Sequence, residues 1–138
     1  MSENSKLQQW APLVLRVGLV ALFLWFGISQ LMNPADWVAW VPPSAISLAP
    51  ANTIVLVNGV FEVILGAALA VGFFTRWAAL LLALHLFAIA FEIGYNDIGV
   101  RDFALGVATL ALFFYGADEY TLDARMRRGS ATMNAYEG

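Results

Sequence analysis

Residues 52–94 read NTIVLVNGVFEVILGAALAVGFFTRWAALLLALHLFAIAFEIG. Two apolar runs, Asn52 to Phe74 and Arg76 to Gly94, meet at Thr75 and Arg76 with almost nothing between them. A helix needs about 20 mostly apolar residues to cross the hydrocarbon core of a bilayer, with a lower limit near 17. Both runs qualify. Inside lipid every backbone amide must be bonded within its own segment, so each run is helical despite the β-branched Val55, Val57, Val63 and Ile64. A join this short makes the two helices an antiparallel pair.

Two further runs flank this pair, Ala11 to Met32 before it and Asp102 to Gly116 after it. The expected architecture is therefore an all-α polytopic membrane protein, an antiparallel bundle of four transmembrane helices at about 11–32, 52–74, 76–94 and 101–117. A segment 1–10 precedes the bundle and a polar tail 118–138 follows it. Composition agrees. Of 138 residues, 61% are hydrophobic and 12% charged, where a soluble domain carries about 25% charged residues. The first run is too long for the h-region of a cleaved signal peptide, and Asn33 and Pro34 follow it in place of a small-residue cleavage site.

The connections differ in kind. Asn33 to Ala51 holds Pro34, Pro42, Pro43 and Pro50, with Trp37 and Trp40 three residues apart. Ala35 to Val41 is expected to form a short helix in the interfacial layer, where tryptophan is favoured. The third connection is expected at Tyr95 to Arg101. Past Gly116 a brief amphipathic helix and a disordered tail from Gly129 are expected. Four crossings put Lys6, Arg76, Arg125, Arg127 and Arg128 on one side and Arg101 alone on the other. The positive-inside rule then places both termini in the cytoplasm of a plasma-membrane protein.

Several residues sit where lipid should exclude them: Arg16, Gln30, Asn58, Glu62, His85, Glu92, Asp102 and Thr109. Their spacing follows helix faces. Arg16, Val20, Phe23, Gly27 and Gln30 form one stripe; Asn58, Gly59, Glu62 and Gly66 a second; His85, Ala88 and Glu92 a third; Asp102, Gly106, Thr109, Phe113 and Gly116 a fourth. Small residues let helices approach and polar ones bond across the gap, so these stripes are expected to face one another. At about 1.5 Å per residue, Glu62 and His85 both reach the middle of the bilayer and can meet. A carboxylate there is either neutral or paired. Arg16 is open to two readings, a snorkelling anchor or a partner for Glu62 or an anionic ligand. The candidate interior or ligand site is Arg16, Asn58, Glu62 and His85. Glu92, Arg101 and Asp102 make a cluster at the outer mouth, near Asp97.

Other chemistry is bounded by absences. With no cysteine, dithiol exchange, thiolate metal sites and Fe–S clusters are excluded. One histidine makes no metal site and cannot supply two imidazoles to a haem. A net charge of -3 without a basic block gives no reason to expect nucleic acid.

The stretches LRVGLVALFLWFGISQLMNP, NGVFEVILGAALAVGFFTR and RDFALGVATLALFFYG resemble the DoxX family of small four-helix membrane proteins. The resemblance covers residues 10 to 117. That family takes its name from a subunit of an archaeal terminal quinol oxidase, and members are linked to thiosulfate:quinone oxidoreductase, oxidative-stress complexes and methylamine dehydrogenase maturation. It implies a membrane redox neighbourhood without fixing a reaction.

No cofactor is intrinsic to these residues, but a quinone suits a polar interior: its carbonyls need donors and its reduction needs protons, which Glu62 and His85 could exchange. The leading expectation is a quinone-associated subunit or accessory of a membrane redox system, in the bilayer with a redox partner subunit or as a homo-oligomer. Were it an enzyme, it would be a quinone-linked oxidoreductase subunit. A small-molecule or proton transport module, and an assembly factor without chemistry of its own, are the alternatives.

Overall fold

The computed structural model describes residues 7–136, and the side chains of 7–133. Lys6, which counts toward the expected orientation, lies outside them. Helix α1 spans Ala11–Met32, a 3-10 helix Pro34–Trp40, α2 Pro43–Ile46, α3 Ala51–Val71, α4 Thr75–Ile93, α5 Asp97–Tyr115 and α6 Leu122–Tyr136. No strand occurs among the described residues. Helices α1, α3, α4 and α5 have 22, 21, 19 and 19 residues and are, among the described residues, the four long and apolar enough to cross a membrane. At about 1.5 Å per residue each is close to the thickness of the hydrocarbon core. One end of the bundle carries the 3-10 helix, α2 and the α4–α5 join (the loop end). The other carries the α3–α4 turn and both chain ends (the termini end).

The bundle is built from two close pairs. In the first, α1 and α3 touch backbone to backbone: a Cβ on Gly27 would lie 2.9 Å from the Gly59 carbonyl, and one on Gly59 3.0 Å from the Gly27 carbonyl. In the second, α5 lays Gly106 against the Phe87 ring of α4. The pairs meet less intimately with each other, through a core of Leu19, Phe23, Leu69, Ala78, Ala79, Leu82, Leu86 and Leu112.

The buried faces refine the expected stripes. On α1 they are Arg16, Leu19, Phe23, Gly27 and Gln30, with Leu19 in place of Val20. On α3 they are Val55, Gly59, Glu62, Gly66 and Leu69, and on α5 Gly99, Asp102, Gly106, Thr109 and Leu112. The third stripe is corrected. α4 buries Ala78, Ala79, Leu82, Ala83, Leu86 and Ala90, leaves His85 half-buried and exposes Ala88 and Glu92. Small alanines, not polar groups, let α5 approach here.

Three boundaries also move. α5 starts at Asp97, several residues before Asp102, because the Asn96 side chain accepts from the amides of Ile98 and Gly99, both at 3.0 Å, and caps the helix. The third connection thus shrinks to 94–96. The α3–α4 turn closes α3 with a left-handed Gly72 (φ 71°), the Gly72 amide on the Leu69 carbonyl and the Phe73 amide on that of Ala68. Finally, α6 runs through Gly129 to Tyr136 where a disordered tail was expected. A single glycine costs a helix only about 1 kcal/mol, and Ala124, Arg125, Met126, Arg127, Arg128 and Ala131 around it are good helix formers.

Candidate functional site

Most of the buried polar groups fall into two clusters separated by an apolar layer; Asp102, paired with Arg101, and Thr109, whose hydroxyl donates to the Leu105 carbonyl at 2.7 Å, lie outside both. The first draws on three helices. Gly27 and Gly59 bring α1 and α3 together, and helical side chains lean toward their own N-terminus. On this antiparallel pair Gln30 therefore leans toward the termini end and Glu62 toward the loop end, so that they converge. Gln30 Nε2 donates to Glu62 Oε2 at 3.2 Å. Asn58 Nδ2 donates to Gln30 Oε1 at 2.8 Å and to Glu62 Oε1 at 3.3 Å. His85, from α4, places Nε2 3.2 Å from Glu62 Oε1.

Glu62 is thus buried with three partners on its two oxygens. Its carboxylate side chain is 6% exposed and the His85 ring 18%. The ring packs beside Phe61, with centroids 5.0 Å apart. No described residue bonds to its Nδ1. His85 is therefore tethered to Glu62 of α3 at one nitrogen, with no described partner at the other.

The second cluster lies at the termini end and includes Arg16. Its Nη1 donates to the carbonyls of Leu69 and Ala70, both at 2.9 Å; Nε and Nη2 donate to Asp118 at 2.7 and 3.2 Å. Those carbonyls belong to the last turn of α3, beyond the reach of its i+4 amides; that of Leu69 also accepts from the Gly72 amide. A cation there also suits the helix dipole. The expectation that Arg16 shares a site with Glu62 is corrected: it is neither snorkelling nor paired with Glu62, but clasped by Asp118. Asp118, 2% exposed at its side chain, also accepts from the Tyr120 amide at 2.9 Å.

Five residues on, Asp123 accepts from the amides of Phe74 and Thr75 and the Thr75 hydroxyl, at 3.0, 2.8 and 2.8 Å. Burial pushes the Asp123 carboxyl up, but the Thr75 and Phe74 donors and the nearby Arg127 outweigh it and hold it below its ordinary value. These contacts also support Phe74, the one non-glycine with positive φ among the described residues, at 48°. The segment after α5 is thus a strap that ties α1, α3 and α4 together, not a free tail.

Between the clusters lie Phe23, Leu82 and Leu112, at most 1% exposed. The remaining candidates stand at the loop end. Arg101 pairs with Asp102 at 2.9 Å. Glu92 stands apart from that pair and accepts from Ser44 of α2 at 3.0 Å. Trp37 donates to Ser29 Oγ at 3.2 Å and packs edge-on against Phe26, so it anchors the 3-10 helix. No group of three metal-ligating side chains occurs among the described residues.

Sequence reading missed three roles. Gln30 was visible in a polar stripe but not as a partner of Glu62. Asp118 and Asp123 were counted with the polar tail, although an aspartate two residues past the glycine that ends a helix is a turn-forming signal.

Comparison with known proteins adds one finding. A DoxX family model matches residues 11–94, which include Arg16, Gln30, Asn58, Glu62 and His85 and end short of α5. Neither curated proteins nor solved structures give a significant match. The matched residues cover well over half of the chain and three of its four long apolar helices, and the chain belongs to the DoxX family.

Proposed function

We propose that the chain binds the ring of a lipid-soluble quinone or quinol at His85 and serves as an accessory subunit of a membrane redox system. One observation carries this reading: His85 holds a buried carboxylate at Nε2, while its ring is 18% exposed and its Nδ1 bonds to no described residue. With Glu62 ionised, Nε2–H donates to Oε1 and Nδ1 is left as an acceptor. A quinol hydroxyl at Nδ1 could pass its proton there, and Glu62 would offset the imidazolium charge. In the reverse direction the imidazolium would donate from Nδ1 to a ring carbonyl. Gln30 and Asn58 hold the carboxylate in place, and Phe61 offers an apolar flank. A bound quinone would supply the electron carrier that a cysteine-free chain lacks, with a partner subunit completing the transfer. The redox neighbourhood implied by the family supports the same reading.

Native mass spectrometry of protein extracted with its own lipids tests it. A quinone adduct on the parent, lost in His85→Phe, is expected. An adduct that survives in the variant, or none on the parent, sinks the proposal.

One observation favours a second reading. No buried side-chain polar atom among the described residues lacks a partner, so the Glu62 cluster could act only as glue in an assembly factor. In that case Glu62→Gln would lower abundance and leave quinone content per molecule unchanged. Transport draws less support, because Phe23, Leu82 and Leu112 separate the two polar clusters. On orientation we retain termini on the cytoplasmic face of the plasma membrane; an active periplasmic reporter fused after Gly138 would contradict it.

A further inference from the structure

The two ends of the bundle carry opposite charge. At the termini end the described residues include Arg16, Arg76, Arg125, Arg127 and Arg128 against Asp118, Glu119 and Asp123. At the loop end Arg101 faces Asp36, Glu92, Asp97 and Asp102. Pairing sharpens this contrast. Arg16 and Arg101 sit in ion pairs. Among the described residues, none of the other four arginines lies within ion-pair distance of a carboxylate, and all four are exposed.

Position points to a partner. Arg76 opens α4, and its side chain folds across the end of α5, where a Cβ on Gly116 would lie 2.5 Å from Nε. It therefore sits where two spans end. Aromatic residues mark the same level: Trp10 stacks on Tyr120 with centroids 5.6 Å apart, and Trp77 and Tyr115 are 62% and 54% exposed. Such rings favour the headgroup layer. Asp123 pins the first turn of α6 to the start of α4, so Arg125 and Arg128 are held close to that layer rather than on a loose tail.

We propose that the termini end is a binding face for anionic phospholipid headgroups, with Arg76, Arg125 and Arg128 as its phosphate donors. A guanidinium matches a phosphodiester with two parallel hydrogen bonds, and basic residues beside a span are drawn to anionic lipid. Arg127 plays a smaller part, because its charge already acts on Asp123. This inference is independent of what His85 binds.

Delipidated full-length protein in a neutral detergent provides the test. Dioleoylphosphatidylglycerol should raise its melting midpoint, while dioleoylphosphatidylcholine, with the same chains, should not. Each arginine removed should weaken phosphatidylglycerol binding about fivefold, so R76Q and R125Q/R128Q lose most of the shift. R101Q, at the other end, keeps it, and R127Q loses less than R128Q. Should a variant fail to fold, the parent alone still decides: raising salt to about 0.5 M should shrink the phosphatidylglycerol response. Equal responses to the two lipids, or full retention of the response in R76Q and R125Q/R128Q, would overturn the proposal.

Discussion

The two polar clusters use the same kinds of residue to different ends. Around Arg16 the set is closed: the guanidinium meets two carbonyls and a carboxylate, and that carboxylate meets a backbone amide. Around Glu62 the carboxylate is equally well bonded, yet its histidine partner keeps one nitrogen outside the network. A buried charge whose partners are all internal holds the fold together. One whose partner set ends on a half-exposed ring can also meet a ligand. The presence of charge inside a membrane does not distinguish these cases; the closure of its bonds does.

Breaking the closed cluster should give the largest effect on stability. Arg16→Ala leaves Asp118 buried without its cation, a change that costs about 3–5 kcal/mol in buried pairs. A large drop in folded yield and melting midpoint is expected, with quinone binding per folded molecule unchanged. Gly72→Ala comes next. Its positive φ resists a side chain, and a Cβ would collide with Thr121 of the strap, so a loss of about 1–3 kcal/mol is expected by thermal melting. If binding falls in step with stability in either variant, the two clusters are not separable as described.

The smallest effect is the pH response of the strap. Asp123 is held below its ordinary value in the folded state, so its contribution is present above the unfolded value, about 3.9, and is lost as pH falls through the folded one. Melting midpoints should therefore drop on acidification below about pH 4, and Asp123→Asn should flatten that drop. An unchanged acid profile in the variant would assign the drop to other carboxylates.

Much of this was legible in the sequence, for physical reasons. A bilayer imposes length and apolarity on each span, so four crossings and the tight α3–α4 join could be read directly. Rise per residue, together with the tight join between the two spans, placed Glu62 and His85 within reach of each other. Gln30 was harder, because its position near the end of α1 suggests the rim; only the opposed lean of side chains on antiparallel helices carries it to Glu62. The buried face of α4 was misread because Ala, Leu, Ile and Phe make up most of that helix, and His85 and Glu92, which set the expected stripe, lie off the packed face. Asp118 and Asp123 were not legible as a clasp. Periodicity describes elements, and nothing in it says where a segment folds after its helix has ended.

The central claim is that His85 is a ligand contact and not a piece of the scaffold. Titration of reconstituted protein with a short-tailed benzoquinone, followed by tryptophan quenching, tests it against melting of the same samples. For His85→Phe the account predicts affinity at least about tenfold lower, the loss of one well-made hydrogen bond, with the melting midpoint within about 1 kcal/mol of the parent in stability. Equal affinity in parent and variant, or a loss of folding without a separate loss of binding, would contradict it.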